Sequence, residues 1–288
     1  MCNDLHINAG YLQFGLSPVE QFEIVTGFRR AAYRAWIKDG FTYPAGKDMQ
    51  DTVNAGSLGL YWSPSATTTV WLRADENFRF ALTDEQTGIV FGAAPLKTQE
   101  GVSYEGGLKV QGEAFTTTLN VSQLELENEI SYDPANFGNI NLDDTRRRGG
   151  SLTTRYDFSP SFSLSGGYAY TSAVFTAGPN QGKHVPMVAN DNVTLRLDWE
   201  IASGLTLSLD QQRQGKRHVG GDYANAFAQL PALYLANLGV NYRFKQLETS
   251  LRINNLLDKK YAAYATTAYN PFPTVDIAYM PAAERNMV

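Results

Sequence analysis

Apolar and polar side chains alternate along this chain with a period of two over runs of about ten residues, the spacing of strands with two unlike faces. From Asn192 to Glu200, Val193, Leu195, Leu197 and Trp199 share one face, while Asn192, Thr194, Arg196, Asp198 and Glu200 share the other. Leu205, Leu207 and Leu209 alternate with Thr206, Ser208 and Asp210, and Tyr234, Ala236, Leu238, Val240, Tyr242 and Phe244 alternate with Leu235, Asn237, Gly239, Asn241 and Arg243. Leu251 and Ile253 oppose Arg252 and Asn254. Earlier stretches repeat the pattern less cleanly, around Phe22–Phe28, Tyr104–Leu108, Phe115–Val121 and Leu152–Phe158. The pattern predicts about twelve strands, with a thirteenth opening near Arg285.

The connections alternate as well. Tight turns are expected near Ser17-Pro18, Ser63-Pro64, Gln111-Gly112, Ser159-Pro160, Ala202-Ser203 and Lys245-Gln246. Between them lie long polar stretches around residues 38–54, 77–100, 127–147, 173–190, 214–231 and 258–283. A propeller blade has a similar period but packs four short strands into it, and no blade signature recurs. Two strands of about ten residues, one short turn and one long loop make the hairpin of an outer-membrane barrel.

The two faces decide how such a sheet is covered. Arg73, Asp75, Glu105, Lys109, Arg155, Asp157, Arg196, Asp198, Asp210, Arg243 and Arg252 fall on the polar face. In a barrel that face lines a wet or plugged lumen and the apolar face meets lipid, while the backbone is satisfied between strands. Phe158, Phe162, Tyr168, Tyr170, Trp199, Tyr242 and Phe244 lie near strand ends, as interfacial girdles require. The competing arrangement is a soluble β-sandwich, in which a second sheet covers the apolar face. The long loops favour an all-β, antiparallel transmembrane barrel.

Composition agrees and narrows the chemistry. Of 288 residues 43% are hydrophobic, yet mean hydropathy is −0.30 and no apolar run approaches the ~18 residues of a spanning helix. A net charge of −5 without a basic block argues against nucleic acid as a partner. The single cysteine, Cys2, excludes an internal disulfide. No basic-then-apolar leader opens the chain, a feature shared by processed, truncated and cytoplasmic proteins alike. His6, His184 and His218 are far apart and lack metal-ligand spacing. Gly56-Ser57-Leu58-Gly59 has Ala55 at the first glycine of a nucleophile elbow, and no helix follows. No catalytic or metal site is expected. Candidate ligand contacts are Arg73 on the lumen face, Arg146 of the Arg146-Arg147-Arg148 run, and the loop aromatics Tyr132, Phe137, Tyr223 and Tyr269, with Phe175, Phe227 and Phe272 beside them. The arginine run suits a carboxylate, a phosphate or lipopolysaccharide, but a solvated strand start after Asp143-Asp144 is the favoured reading.

Three segments carry a resemblance. Leu251-Arg252-Ile253-Asn254-Asn255-Leu256-Leu257-Asp258-Lys259-Lys260-Tyr261 resembles a signature near the end of TonB-dependent outer-membrane receptor barrels, carried here by Asn254, Asn255, Leu256, Asp258 and Tyr261. Asn77-Phe78-Arg79-Phe80, Leu96-Lys97 and Tyr104-Glu105-Gly106-Gly107-Leu108-Lys109 are similar to a second passage of that family, although Ala81 and Thr98-Gln99 stand where prolines are usual. Leu233–Phe244 is similar to the strand before the signature. The resemblance implies that residues 1–288 are the C-terminal part of a barrel domain, about thirteen of about 22 strands, lacking the plug and the end of the final strand. It further implies TonB-dependent import of a scarce nutrient, a ferric siderophore first among them. TonB would be engaged through the plug, with outer-membrane lipid and lipopolysaccharide as surroundings. No cofactor is implied, though the cargo can carry iron. A passive channel or a structural β-protein is the alternative.

Overall fold

The computed structural model describes residues 2–269 and 274–287. Thirteen strands form one antiparallel sheet, each neighbour following in chain order apart from excursions in two loops. They are β1 (Cys2–Val19), β2 (Phe22–Lys38), β3 (Lys47–Ser65), β4 (Thr68–Arg79), β5 (Gln99–Gln111), β6 (Phe115–Glu127), β9 (Thr145–Ser159), β10 (Phe162–Phe175), β11 (Asp191–Ala202), β12 (Leu205–Gln214), β13 (Leu233–Phe244), β14 (Leu247–Asn254) and β17 (Asn286–Met287). The excursions are two small hairpins, β7 (Ile130–Asp133) with β8 (Gly138–Asn141), and β15 (Ala262–Tyr269) with β16 (Val275–Pro281). Among the described residues the one helix is α1 (Thr83–Thr87), too short to cross a membrane.

The strand count and faces follow the expected alternation. Register places Leu119, Leu152, Tyr168 and Val193 in one row across four strands. On that face large apolar side chains stay exposed, Leu72 at 60%, Phe158 at 57% and Trp199 at 45%. A soluble protein rarely leaves so continuous an apolar surface bare. Lipid is the solvent that fits it. Phe158, Phe162 and Trp199 contact one another at 5.3 and 6.4 Å beside the tight turns. Tyr170 stands eight residues beyond Phe162 on β10; at ~3.3 Å per residue and a tilt of ~40° that is about 20 Å of height, close to the apolar band of such barrels.

Two details differ from the sequence-based expectation. The first two tight turns fall at residues 20–21 and 66–67, three residues later than the prolines suggested. Pro18 and Pro64 instead occupy irregularities in the ladder, between Leu16 and Val19 and between Trp62 and Ser65, where a missing N–H removes no ladder bond. The first long loop shrinks to residues 39–46, because β2 and β3 continue beyond the level of their neighbours. Asp48, Gln50, Thr52 and Asn54 give that stretch a loop-like composition, but they alternate with Met49, Val53 and Ala55 on the opposite face.

The conventional core sits at the long-loop end. Ala31, Tyr33, Ala35, Ile37 and Val53 pack on Phe80, and Leu142, Ala173, Phe175 and Val185 form a second cluster. Smaller clusters join Ala81, Ile89 and Leu96, and Val219, Leu230 and Ala265. The loops therefore form a packed crown.

Candidate functional site

Several charges on the inner face of the wall are engaged by partners. Arg73 bonds Asp75 at 3.0 Å, and the Trp71 indole N–H donates to Glu105 at 2.8 Å. The indole lies against Gly107, where an added Cβ would come within 2.0 Å of the ring. Further round, Arg196 reaches Asp198 at 2.8 Å and Asp210 at 3.0 Å, the Ser208 hydroxyl donates to Asp198, and Arg252 approaches Asp210 at 3.6 Å. Gly239 lies between Ser208 and Arg252 in the register, so no side chain stands between Arg252 and β12. A concavity of about 680 Å³ runs along this wall, lined by hydroxyl and amide side chains with Arg155, Arg196 and Asp210. Such a surface suits a polar, water-filled or plugged lumen.

The crown is stitched by side chains that imitate backbone. Buried Gln86 exchanges two bonds with Leu96, accepting its N–H and donating to its carbonyl, both at 2.9 Å. Asn141 does the same with Lys97, at 2.8 and 3.1 Å, joining loop 80–98 to β8. Glu85 accepts the Leu82 N–H at the start of α1 and both NH1 contacts of Arg79 at 2.8 Å. Gly138 lies against Val90, leaving no room for a Cβ. Loops 176–190 and 215–232 are tied where Asn225 takes the N–H of His184 at 2.7 Å and donates to its carbonyl at 3.0 Å. Asp222 is buried and accepts the N–H groups of Ala226 and Phe227. Burial lowers the pKa of Arg217, whose guanidinium donates to the Ala263 carbonyl. In loop 39–46 desolvation pushes Asp39 up, but the N–H groups of Phe41, Thr42 and Tyr43 outweigh it and its pKa is lowered.

The sequence candidates divide between wall and crown. Arg73 lies on the inner wall, already neutralised by Asp75. Arg146, on β9, faces Glu125 at 3.9 Å. Tyr132 is exposed on β7, and Phe137, with φ of 52°, is exposed in the turn before β8. Tyr223 is half-buried in the crown, edge-on to Phe175 with ring centroids 6.0 Å apart, its hydroxyl 3.5 Å from the Tyr132 carbonyl. Desolvation raises its pKa to about 12. Phe175 is buried as well. The side chain of Tyr269 and all of Phe272 lie outside the described residues. Among the described residues no group of three or more His, Cys, Asp and Glu is placed to hold a metal ion.

The signature residues form a strand terminator. Asn255 adopts φ of 51° and is buried; its N–H donates to Asn237, and its amide both accepts the Lys259 N–H and donates to the Lys259 carbonyl, each at 2.9 Å. Leu256 donates its N–H to the Ala236 carbonyl. Asp258, also at positive φ, accepts the Arg285 N–H, and Asn254 donates to Asn286 at 2.8 Å. Tyr261 accepts the Ala282 N–H through its carbonyl. The motif thus ends β14 and brings the returning chain beside it as β17. The side chains that stitch the crown, Gln86, Asn141 and Asn225, were not singled out in the sequence; only the Asp222-x-x-Asn225 spacing carried a local turn signal.

A single antiparallel sheet, apolar outside and ion-paired inside, with tight turns at one end and a packed crown at the other, is the wall of an outer-membrane β-barrel. The chain belongs to the family described as TonB dependent receptor-like, beta-barrel, whose pattern matches residues 4–256. Its place is the outer membrane, and the family is one of receptors and transporters, not of enzymes. It is 27% identical over 217 residues to the ferrichrome outer membrane transporter/phage receptor of Escherichia coli (strain K12), covering 71% of this chain and 28% of that protein. The siderophore receptor PiuA from Acinetobacter baumannii shares the fold at a TM-score of 0.81 and 16% identity, over 99% of this chain and 42% of that one. The copper transporter OprC does so at 0.80 and 17%, over 98% and 46%. The chain therefore spans less than half the length of these relatives.

Proposed function

We propose that this chain forms wall and extracellular crown of a receptor that takes up a ferric siderophore, with TonB supplying energy through a plug domain. Membership of the TonB-dependent receptor-like family carries the proposal. The ferrichrome transporter and the siderophore receptors among the relatives support the cargo class. The crown adds a physical reason: interlocked loops with exposed Tyr132 and Phe137 present aromatic edges on a rigid scaffold, where binding residues usually sit. The charged inner wall would hold a hydrophilic plug.

Uptake of radiolabelled ferric siderophore by cells carrying the full-length receptor tests this reading. Uptake should vanish when TonB is deleted, and the purified receptor should give little steady conductance in a planar bilayer. TonB-independent uptake with steady conductance would replace the receptor by a passive channel. TonB-dependent growth on copper without siderophore uptake would keep the transporter and change the cargo.

A further inference from the structure

We propose that the free edge of β3, from Asp48 to Asn54, binds an extended segment of a partner protein as an added strand, with basic side chains at its outward positions. The inference rests on the outer-membrane placement and is independent of the cargo. It starts from a gap in the wall. The β3–β4 ladder stops at Ser57 and Asp75, while β3 runs on to Lys47 and β4 to Arg79. On its other side β3 stays paired with β2 in unbroken register as far as Lys47. In an antiparallel strand alternate residues turn both backbone groups to the same side. Gly56 sends its N–H away from β2, to the Glu76 carboxylate at 2.6 Å, so Asn54, Thr52, Gln50 and Asp48 point theirs into the gap. Asp51 accepts the Thr52 N–H at 2.7 Å. Asp48, Gln50 and Asn54 are exposed and have no ladder partner on that side among the described residues. Free backbone groups are untenable in hydrocarbon, which places the gap in water, above the row of Leu58 and Ala74.

A channel follows this edge. Two concavities of about 520 and 190 Å³ succeed one another along β3, the first beside Lys47 to Asp51, the second beside Val53 and Asn54, with Glu100 common to both. Tyr33, Phe80 and Leu96 line the first, and the buried Tyr33 hydroxyl has no hydrogen-bond partner. From Asp48 to Asn54 is about 20 Å at ~3.3 Å per residue, the span of about seven extended residues. Side chains alternate across such a strand. Those turned inward would meet Met49, Phe80 and Leu96, which suits apolar residues. Those turned outward would meet acids: the second concavity is lined by Glu76, Glu100, Glu125 and Glu127 and, among the described residues, by no basic one. Glu100 and Glu127 stand directly opposite each other on β5 and β6, a like-charge pairing that costs stability until a cation comes between them. Arg146 is engaged with Glu125 at 3.9 Å, Arg30 and Arg34 lie on β2 beyond β3, and Lys47 and Lys97 line the first concavity alone. Strand addition recognises a peptide by this combination, main-chain bonds from an exposed edge and distinct surroundings for alternate side chains.

The test presents the full-length receptor in detergent with a fluorescent peptide of about seven alternating lysines and valines, read by polarisation. Binding should protect the amides of residues 48–54 from hydrogen exchange. A peptide of the same composition with its lysines and valines in separate blocks should bind at least about tenfold more weakly. N-methylation of the alternating peptide on its lysines or on its valines should cost as much in one of the two forms, the one that removes the bonds to β3. Gln50→Pro leaves the β2 ladder intact, because the N–H it removes faces the gap, and should weaken binding about tenfold. Glu100→Gln/Glu127→Gln should weaken it about fivefold, and Glu248→Gln, at the opposite rim, should change nothing. Equal binding of the block peptide, of both N-methylated forms or by Gln50→Pro would overturn the proposal. So would a glutamate–valine peptide binding as tightly, no binding of the alternating peptide, or binding without protection of residues 48–54. Folding of each variant is read from the heat-dependent gel mobility of the barrel. Should Gln50→Pro not fold, the N-methylated peptides on the wild type decide.

Discussion

The wall and the crown of this molecule are stabilised in opposite ways. Wall strands from β4 to β14 leave Leu72, Leu119, Leu152, Leu195 and Trp199 exposed on one face and set ion pairs on the other. The crown instead buries Ile37, Phe175, Val185 and Val219 and ties its loops together through the side-chain amides of Gln86, Asn141 and Asn225. A wall of this kind needs two solvents, lipid and a polar lumen, whereas the crown needs only itself. The same chain can carry both because β2, β3, β9 and β10 run from one regime into the other without interruption.

The sharpest way to break this comparison is to exchange the faces. Leu195 and Thr194 are neighbours in sequence on opposite sides of β11, and Leu195 lies midway between Trp199 and Asp191. Leu195→Lys should destabilise the receptor by about 2–4 kcal/mol, the cost of a charge on the lipid face near midplane. Thr194→Lys should stay within about 0.5 kcal/mol, as for an ordinary surface change. Urea titration of the full-length receptor in lipid vesicles measures both. Equal costs would mean that β11 does not separate lipid from lumen.

In the crown the corresponding lesion is steric. A Cβ at Gly138 would meet the backbone of Ile89 and Val90 at 2.4–2.6 Å, so Gly138→Ala should cost about 1–3 kcal/mol as overpacking does. The loss should be local: faster proteolysis within loops 80–98 and 128–144, with the gel mobility of the folded barrel unchanged. A fall in barrel stability as well would show that crown and wall unfold as one unit.

The wall was legible in the sequence because a period of two needs no partner to be seen: Val193 to Trp199 announce their face whatever lies beside them. Its register was not, since Pro18 and Pro64 signal turns locally and only the ladder shows them at bulges. The crown was hardly legible. Tyr223 has the composition of a ligand contact, and its packing against Phe175 depends on the end of a strand almost fifty residues away. Gln86 is an ordinary polar residue until Leu96 returns beside it. Asn255 was visible only as part of a family likeness; its reason, a positive-φ turn sealed by its own amide, is three-dimensional.

A smaller effect sharpens the contrast between paired and unpaired arginines. Asp210 serves Arg196 at 3.0 Å and Arg252 at 3.6 Å, so Asp210→Asn should cost about 1 kcal/mol, the upper end for a partly exposed network. Arg34→Gln, which breaks no ion pair among the described residues, should change stability by less than about 0.5 kcal/mol. A double-mutant cycle of Asp210→Asn with Arg252→Gln should show coupling below the full single-mutant cost, because Arg196 holds the shorter contact. Full additivity would remove Arg252 from the network.

The mildest test reads the crown through pH. Burial holds the Tyr223 pKa at about 12 against an ordinary 10, so the folded crown keeps a proton that the opened crown gives up. Its contribution is fully present below pH 10 and is lost as pH rises from there towards 12, because proton release favours the state that binds fewer protons. Ultraviolet difference titration of the full-length receptor against Tyr223→Phe should assign the most alkaline tyrosine transition to this residue. Crown proteolysis in the wild type should accelerate over the same interval, and Tyr223→Phe, which keeps the ring against Phe175 and cannot ionise, should shift that acceleration upward. Tyr223 ionising with the bulk of the tyrosines would open its side chain to water and return it to the set of exposed ligand contacts.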